Sequence, residues 1–228
     1  MWAGHPSHFW CFYVYALDIR GYGNSQRPPP KVWVTVDLAI RDVHTSAIFI
    51  KKSLCIESIN ILGWSWGTQV AGLFAQNYPQ LVNKLALYAP FWRRINTEVP
   101  ELKTTRMRNT SQYVVNDFRN LSQVDPAVID EFIKQCMKYD KTSPRGSWRD
   151  MGSLSKKPIL DPKGIRMPTL LIYGEFDHLI DKQDIQEFYD SLPINNKKLV
   201  VIPETDHMAH LENNHSIFQE AVKNFLMG

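Results

Sequence analysis

Ile59-Asn60-Ile61-Leu62-Gly63-Trp64-Ser65-Trp66-Gly67 joins a short apolar run to a serine bounded by glycines. Ile59, Ile61 and Leu62 read as a buried strand, and a helical pattern starts at once after the serine. Strand, tight turn and helix in that order are what a nucleophile elbow requires, and residues 63–67 fit G-x-S-x-G. Such a turn holds its serine in a strained backbone conformation and lifts the hydroxyl above the sheet edge. Strand and helix crowd each other there, which asks for small residues at Gly63 and Gly67. The backbone N–H of Trp66 is then aimed at the place where an oxyanion would form.

Working outward, Phe12 to Asp18 (FYVYALD) is rich in aromatic and β-branched residues and reads as a strand. Arg20-Gly21-Tyr22-Gly23-Asn24-Ser25 ends it with turn chemistry, and Pro28-Pro29-Pro30 keeps the next stretch extended. Ile40, Val43, Ala47 and Ile50 recur at helical steps within a helix from Asp37 to Cys55, with Thr35 as its cap. Past the elbow, a helix from about Trp66 to Asn77 stops at Pro79, and Lys84 to Ala89 is a strand closed by Pro90.

From Phe91 to about Ile165, charges and amides rise and no strand signal appears. Val128, Ile129, Phe132, Ile133, Cys136 and Met137 form a helical stripe, capped by Asp125 with Pro126 at the first helical position. A weaker helix covers Ser111 to Leu121. Sheet pattern resumes at Pro168 to Gly174, followed by Glu175-Phe176-Asp177, a helix from Asp184 to Leu192, and a strand from Lys198 to Ile202. Ile217, Phe218, Ala221, Val222, Phe225 and Leu226 make a closing amphipathic helix. The alternation predicts an α/β fold: a mainly parallel sheet of about five strands flanked by helices. Residues 1–91 and 166–228 form the core, and 92–165 an inserted helical lid.

The 228 residues suffice for one domain with a sizeable core. A net charge of +3 is too small to argue for nucleic acid, and no basic cluster alternates with aromatics. Cys11, Cys55 and Cys136 are odd in number and lack metal-ligand spacing, which suggests free thiols in a reducing, cytoplasmic setting. No apolar run approaches transmembrane length. The aromatic N-terminus lacks the basic region of a signal peptide and is interrupted by Gly4-His5-Pro6-Ser7-His8.

A serine hydroxyl needs a base within hydrogen-bond reach, and the base needs a third group to orient it. Acids at strand C-terminal ends project into the crevice of a parallel sheet, which favours Asp177, with Glu175 and Asp181 as competitors. By the same geometry His207 is the base, with His210 as its competitor. The chain order is then Ser65, Asp177, His207.

Three stretches together resemble the α/β-hydrolase-fold superfamily, of the lid-bearing serine esterase type. They are Leu17-Asp18-Ile19-Arg20-Gly21-Tyr22-Gly23-Asn24-Ser25, the elbow, and Gly174-Glu175-Phe176-Asp177 with His207-Met208-Ala209-His210-Leu211-Glu212. The resemblance implies Ser65 as nucleophile, Asp177 as acid, His207 as base, and a lid between the strands at 84–89 and 168–174. A serine at the elbow speaks against the dehalogenase and epoxide-hydrolase branches. The family carries three strands and a helix ahead of the strand placed at 12–18, and a His-Gly loop there supplies a second oxyanion donor. Only eleven residues occupy that space here, so the chain looks like an N-terminally shortened hydrolase.

The expected activity is cleavage of a carboxylic ester or related acyl compound, with no metal or organic cofactor implied. Trp64, Phe91 and Trp92 suggest an apolar acyl pocket, although they could equally be core. The alternative is a catalytically weak or inactive small-molecule binder on the same fold. With the family's third strand missing, Phe12–Asp18 is expected to move beside Ile59–Leu62, leaving an apolar edge at 12–18 open to a homodimer.

Overall fold

Thr169–Gly174 and Val82–Tyr88 are near-continuous apolar runs, and they form the two middle strands of a four-stranded parallel sheet. The computed structural model describes residues 12–154 and 156–228, so the readings at residues 1–11, Cys11 among them, lie outside it. In chain order the elements are α1 (Val36–Leu54), β1 (Ile59–Trp64), α2 (Trp66–Asn77), β2 (Val82–Tyr88), β3 (Arg106–Arg108), α3 (Ser111–Val115), α4 (Pro126–Tyr139), β4 (Thr142–Pro144), α5 (Gly146–Met151), β5 (Thr169–Gly174), α6 (Lys182–Ser191), β6 (Lys197–Ile202) and α7 (His215–Met227). The main sheet runs β1-β2-β5-β6, with Trp64 in register with Tyr88 and Gly174 with Ile202. No helix of the described residues is long and apolar enough to cross a membrane.

The two-residue period of a strand decides which helix each side chain meets. Leu85, Leu87, Leu171 and Tyr173 pack with Ala39, Ile40 and Ala47 of α1, Val70, Ala71 and Phe74 of α2, and Ile185 and Phe188 of α6. Ala86, Tyr88, Leu170, Ile172 and Ile202 point to the other face, where Phe218, Ala221, Val222 and Phe225 of α7 cover them. Helices on both faces are what a parallel sheet needs to bury its middle strands.

Two expectations are corrected. Phe12–Asp18 forms no strand among the described residues, so the sheet has four strands, not five. It does not lie in a ladder beside Ile59–Leu62 either: among the described residues β1 pairs with β2 alone. The aromatic and β-branched residues there signal fitness for a half-buried pleat, not a partner strand. Tyr13 and Val14 are 79% and 87% exposed, and a cleft of about 520 Å³ opens beside Leu17, Asp18, Arg20, Pro28 and Asp42. Among the described residues β1 is therefore one edge of the sheet, and Leu62 on it is 44% exposed.

The segment between β2 and β5 is not purely helical. β3 and β4 form a small antiparallel pair that the sequence did not signal. It docks on the turn at 20–25: the Arg106 guanidinium donates to the Gly21 carbonyl, and Gly23 N–H donates to Asp140. α4 matches its stripe, with Asp125 accepting from Ala127 N–H as the cap and Pro126 opening the helix. The helix read from Ser111 to Leu121 is shorter, ending at Val115 before a single 3-10 turn at Leu121–Gln123. α1 starts at Val36, one residue before the expected Asp37, with Thr35 at the N-cap position as expected, but the Thr35 side chain makes no capping hydrogen bond.

Candidate active site

Ser65 sits between β1 and α2 with φ 56° and ψ −126°, a conformation that strains any residue with a side chain. Gly63 is required by packing, because a Cβ there would lie 2.2 Å from the Gly67 carbonyl oxygen and 2.8 Å from Ala71 Cβ. Gly67 is not: a Cβ there would meet nothing within 4 Å, so the crowding expected at both glycines holds only at the first. Ser65 N–H donates to the Tyr88 carbonyl at 2.9 Å, tying the elbow to the end of β2. Trp66 N–H is the first of α2, one of the amides a helix leaves without an internal acceptor.

Asp177 and His207 meet across the ends of β5 and β6. His207 Nδ1 lies 2.9 Å from Asp177 Oδ2, and the two residues are 4% and 3% exposed. Asp177 Oδ1 accepts the Leu179 N–H at 3.1 Å, so both oxygens are engaged. The His207 ring is stacked on Phe91 at 6.0 Å between centroids and lies 5.4 Å from the Trp64 ring. The candidate base His207 thus stands beside Trp64, the residue that precedes Ser65. Among the described residues Ser65 Oγ has no hydrogen-bond partner, so the expected bond to His207 Nε2 is not formed. Such bonds are commonly long without substrate and tighten once it is bound.

The competitors have other work. Glu175 accepts Glu204 N–H, and Asp181 caps α6 through Asp184 N–H. His210 is half-buried against Tyr88, with Nδ1 3.3 Å from the hydroxyl, and desolvation lowers its pKa to about 4. Trp92 packs edge-on against Phe188 and donates to the Leu160 carbonyl at 3.2 Å, which is core packing and not pocket lining. The Trp66 indole likewise points away, donating to Asp150 at 2.9 Å.

Asp206 and His178 were overlooked in the sequence, although both adjoin a candidate. Asp206 Oδ1 accepts the His207 N–H at 2.8 Å and pairs with His178 Nδ1 at 2.7 Å, so it bridges the two loops that carry base and acid. Burial works to raise the Asp206 carboxyl, but the His178 bond and the two backbone amides outweigh it and its pKa ends lowered. Asp177, His178 and Asp206 hold ligand-capable atoms within 4.8 Å of one another. Those atoms are spent on each other and on His207, and Arg119 Nε donates to the outer nitrogen of His178 at 3.0 Å. The cluster is a hydrogen-bond relay.

Above the site, α4 turns its stripe toward the elbow. Ile129, Phe118 and Val124 bury themselves with Met208, and Val128, Phe132 and Ile133 pack on the same cluster with Trp64 and Leu211. The Asp117 carboxyl, next in the chain to Phe118, is pushed up to about 6 by burial while His207 and His178 pull it down.

The fold recurs in solved structures. A monoacylglycerol lipase from Paleococcus ferrophilus superposes with a TM-score of 0.67 at 17% identity, over 94% of this chain and 83% of that one. In sequence, the human serine hydrolase BPHL is 26% identical over 200 residues, 88% of this chain. The pimeloyl-[acyl-carrier protein] methyl ester esterase of Vibrio campbellii is 24% identical over 94% of this chain and 84% of its own length. The chain spans 65% of the length of the human and mouse BPHL proteins. Residues 10–214 match the family described as serine aminopeptidase, S33 (Hydrolase_4), and the chain belongs to that family of α/β-hydrolase-fold proteins.

Proposed function

We propose that the chain is a serine hydrolase that cleaves a carboxylic ester or related acyl compound through an acyl-enzyme on Ser65. The observation that carries this is the buried 2.9 Å contact between Asp177 and His207, with the imidazole set beside Trp64 at the elbow. Asp177 accepts Nδ1–H of His207 and so leaves Nε2 with the lone pair that takes the Ser65 proton. Ser65 Oγ attacks the substrate carbonyl, Trp66 N–H stabilises the oxyanion, and the imidazolium returns its proton to the leaving alcohol. Water, activated by the same imidazole, then releases the acid and restores Ser65. No metal or organic cofactor enters any step.

Residues 92–165 act as the lid in this reading. The apolar stripe of α4 packed beside Trp64 and Met208 favours an apolar acyl group, with Trp64 and Phe91 as the wall. The two sequence relatives named above are a serine hydrolase and a methyl ester esterase, which supports an ester substrate. The free thiols of Cys55 and Cys136 suit a cytoplasmic protein.

A second reading, a weak or inactive binder on the same fold, is favoured by Ser65 Oγ standing without a bond to His207. A panel of p-nitrophenyl esters from acetyl to octanoyl, with succinyl as the charged member, separates the two. The proposal expects turnover that rises with apolar chain length and vanishes in Ser65→Ala. Turnover equal in wild type and Ser65→Ala, or a preference for the succinyl ester, contradicts it.

A further inference from the structure

Tyr88 ends β2 directly across from Trp64 and is 1% exposed. Its main-chain carbonyl accepts the Ser65 N–H at 2.9 Å. Its side chain reaches toward the other loop, and the hydroxyl donates to the His207 carbonyl at 2.7 Å. Trp64, on the other side of Ser65 N–H, gives its indole N–H to the same carbonyl at 3.1 Å. A phenol has one proton, and the shorter contact takes it. Toward His210 Nδ1, at 3.3 Å, the Tyr88 oxygen is therefore the acceptor. A half-buried, neutral His210 can donate there. Burial also raises the Tyr88 pKa, so the phenol keeps its proton wherever the chain is folded.

We propose that Tyr88 is a positioning residue of this site, holding the Ser65 backbone with its carbonyl and the His207 backbone with its hydroxyl, and so setting their spacing. The inference rests on the reading of Ser65 and His207 as nucleophile and base. The two arrive from different strands, the elbow after β1 and the loop after β6, and no side-chain bond joins them. A displacement of about 1 Å between reacting groups can cost on the order of a hundredfold in rate. Packing alone would be met by phenylalanine, because the ring already lies against Phe218 and Trp64. The hydroxyl adds direction: it meets the carbonyl of the base itself. Trp64 is the second tie to the same oxygen.

Tyr88→Phe removes the hydroxyl and keeps ring and carbonyl. On a p-nitrophenyl ester, kcat should fall about tenfold with KM within about twofold, and phosphonylation of Ser65 should slow in parallel, as misplacement of a base predicts. Trp64→Phe should give a smaller fall of the same kind, which keeps the test alive if Tyr88→Phe folds poorly. Thr169→Val is the control: it removes a buried bond of Thr169 Oγ1 to the Met167 carbonyl, far from the site, and should lower stability with kcat unchanged. Wild-type kcat and phosphonylation rates in a folded Tyr88→Phe overturn the proposal, as they do in Trp64→Phe should Tyr88→Phe not fold, and so does a loss confined to stability, like that of Thr169→Val. If wild type itself is not phosphonylated at Ser65, the underlying reading falls and takes this inference with it. Phosphonylation at equal rates in wild type and Tyr88→Phe sinks the inference alone.

Discussion

In the proposed mechanism, the contribution of Asp177 is to hold His207 in one tautomer through their 2.9 Å contact. Asp177→Asn keeps the size but can present an N–H to Nδ1, which moves the imidazole proton to Nε2 and blocks proton uptake from Ser65. The expected result is a fall in kcat on the order of ten-thousandfold with the fold retained, read from ester turnover and circular dichroism. A loss under tenfold would mean that Asp177 does not orient the base. At this scale the sequence said much. Ser65, Asp177 and His207 stood out because each follows a strand and carries a side chain the chemistry needs. The choice between His207 and His210 stayed open because both lie in one loop; the contact to Asp177 separates them in space. Tyr88 and Asp206 were hidden for a different reason. A tyrosine at a strand end reads as core, and an acid next to a histidine reads as a turn residue, until the partners are seen.

Asp150 in α5 links three elements, accepting the Val36 N–H at the start of α1 and the Trp66 indole N–H of α2. Burial raises its carboxyl to about 6, although both donors pull it down. A native pKa above the unfolded value of about 3.9 means that the folded chain binds more protons between roughly pH 4 and 6. Stability must therefore fall as pH rises through that window. Asp150→Asn keeps an acceptor oxygen without the charge, so its advantage over wild type should grow from near zero at pH 4 to about 2 kcal/mol at pH 7.5. Urea midpoints at the two pH values would show it; a constant difference would refute the assignment. Phe118, packed edge-on against Phe132, anchors α4. Phe118→Ala should cost about 3 kcal/mol locally, so amides of residues 126–139 exchange faster while those of β2 do not. Equal acceleration in both would mean that α4 and the sheet open together. α4 was legible because a fourteen-residue helix repeats its stripe. β3 and β4 were not, since three residues each give no alternation to read and their pairing depends on the distant turn at 20–25.

At the scale of the molecule, two central strands are covered on both faces, and among the described residues β1 pairs on one side only, with β2. An apolar edge with free N–H and C=O groups is a template for pairing with a second chain. We therefore expect concentration-dependent self-association, through β1 instead of residues 12–18. Size-exclusion chromatography should show a shift with loading that Leu62→Lys suppresses. A monomer at all loadings would contradict the exposed-edge argument. The α/β layering was legible because β2 and β5 carry the apolar runs Leu85–Tyr88 and Leu170–Tyr173 and alternate with helical periods. The fate of residues 12–18 was not, because strand propensity describes a residue's fitness for a sheet and is silent on whether a partner stands beside it.

The claim on which the account turns is that Ser65 is a nucleophile activated by His207. Incubation with a fluorophosphonate, followed by intact mass and peptide mapping, measures it directly. The account predicts one adduct on Ser65 in the native chain, none in Ser65→Ala, and a rate reduced at least about a hundredfold in His207→Ala, in line with the usual contribution of a general base. An unlabelled native chain, or labelling that persists in Ser65→Ala, would contradict it.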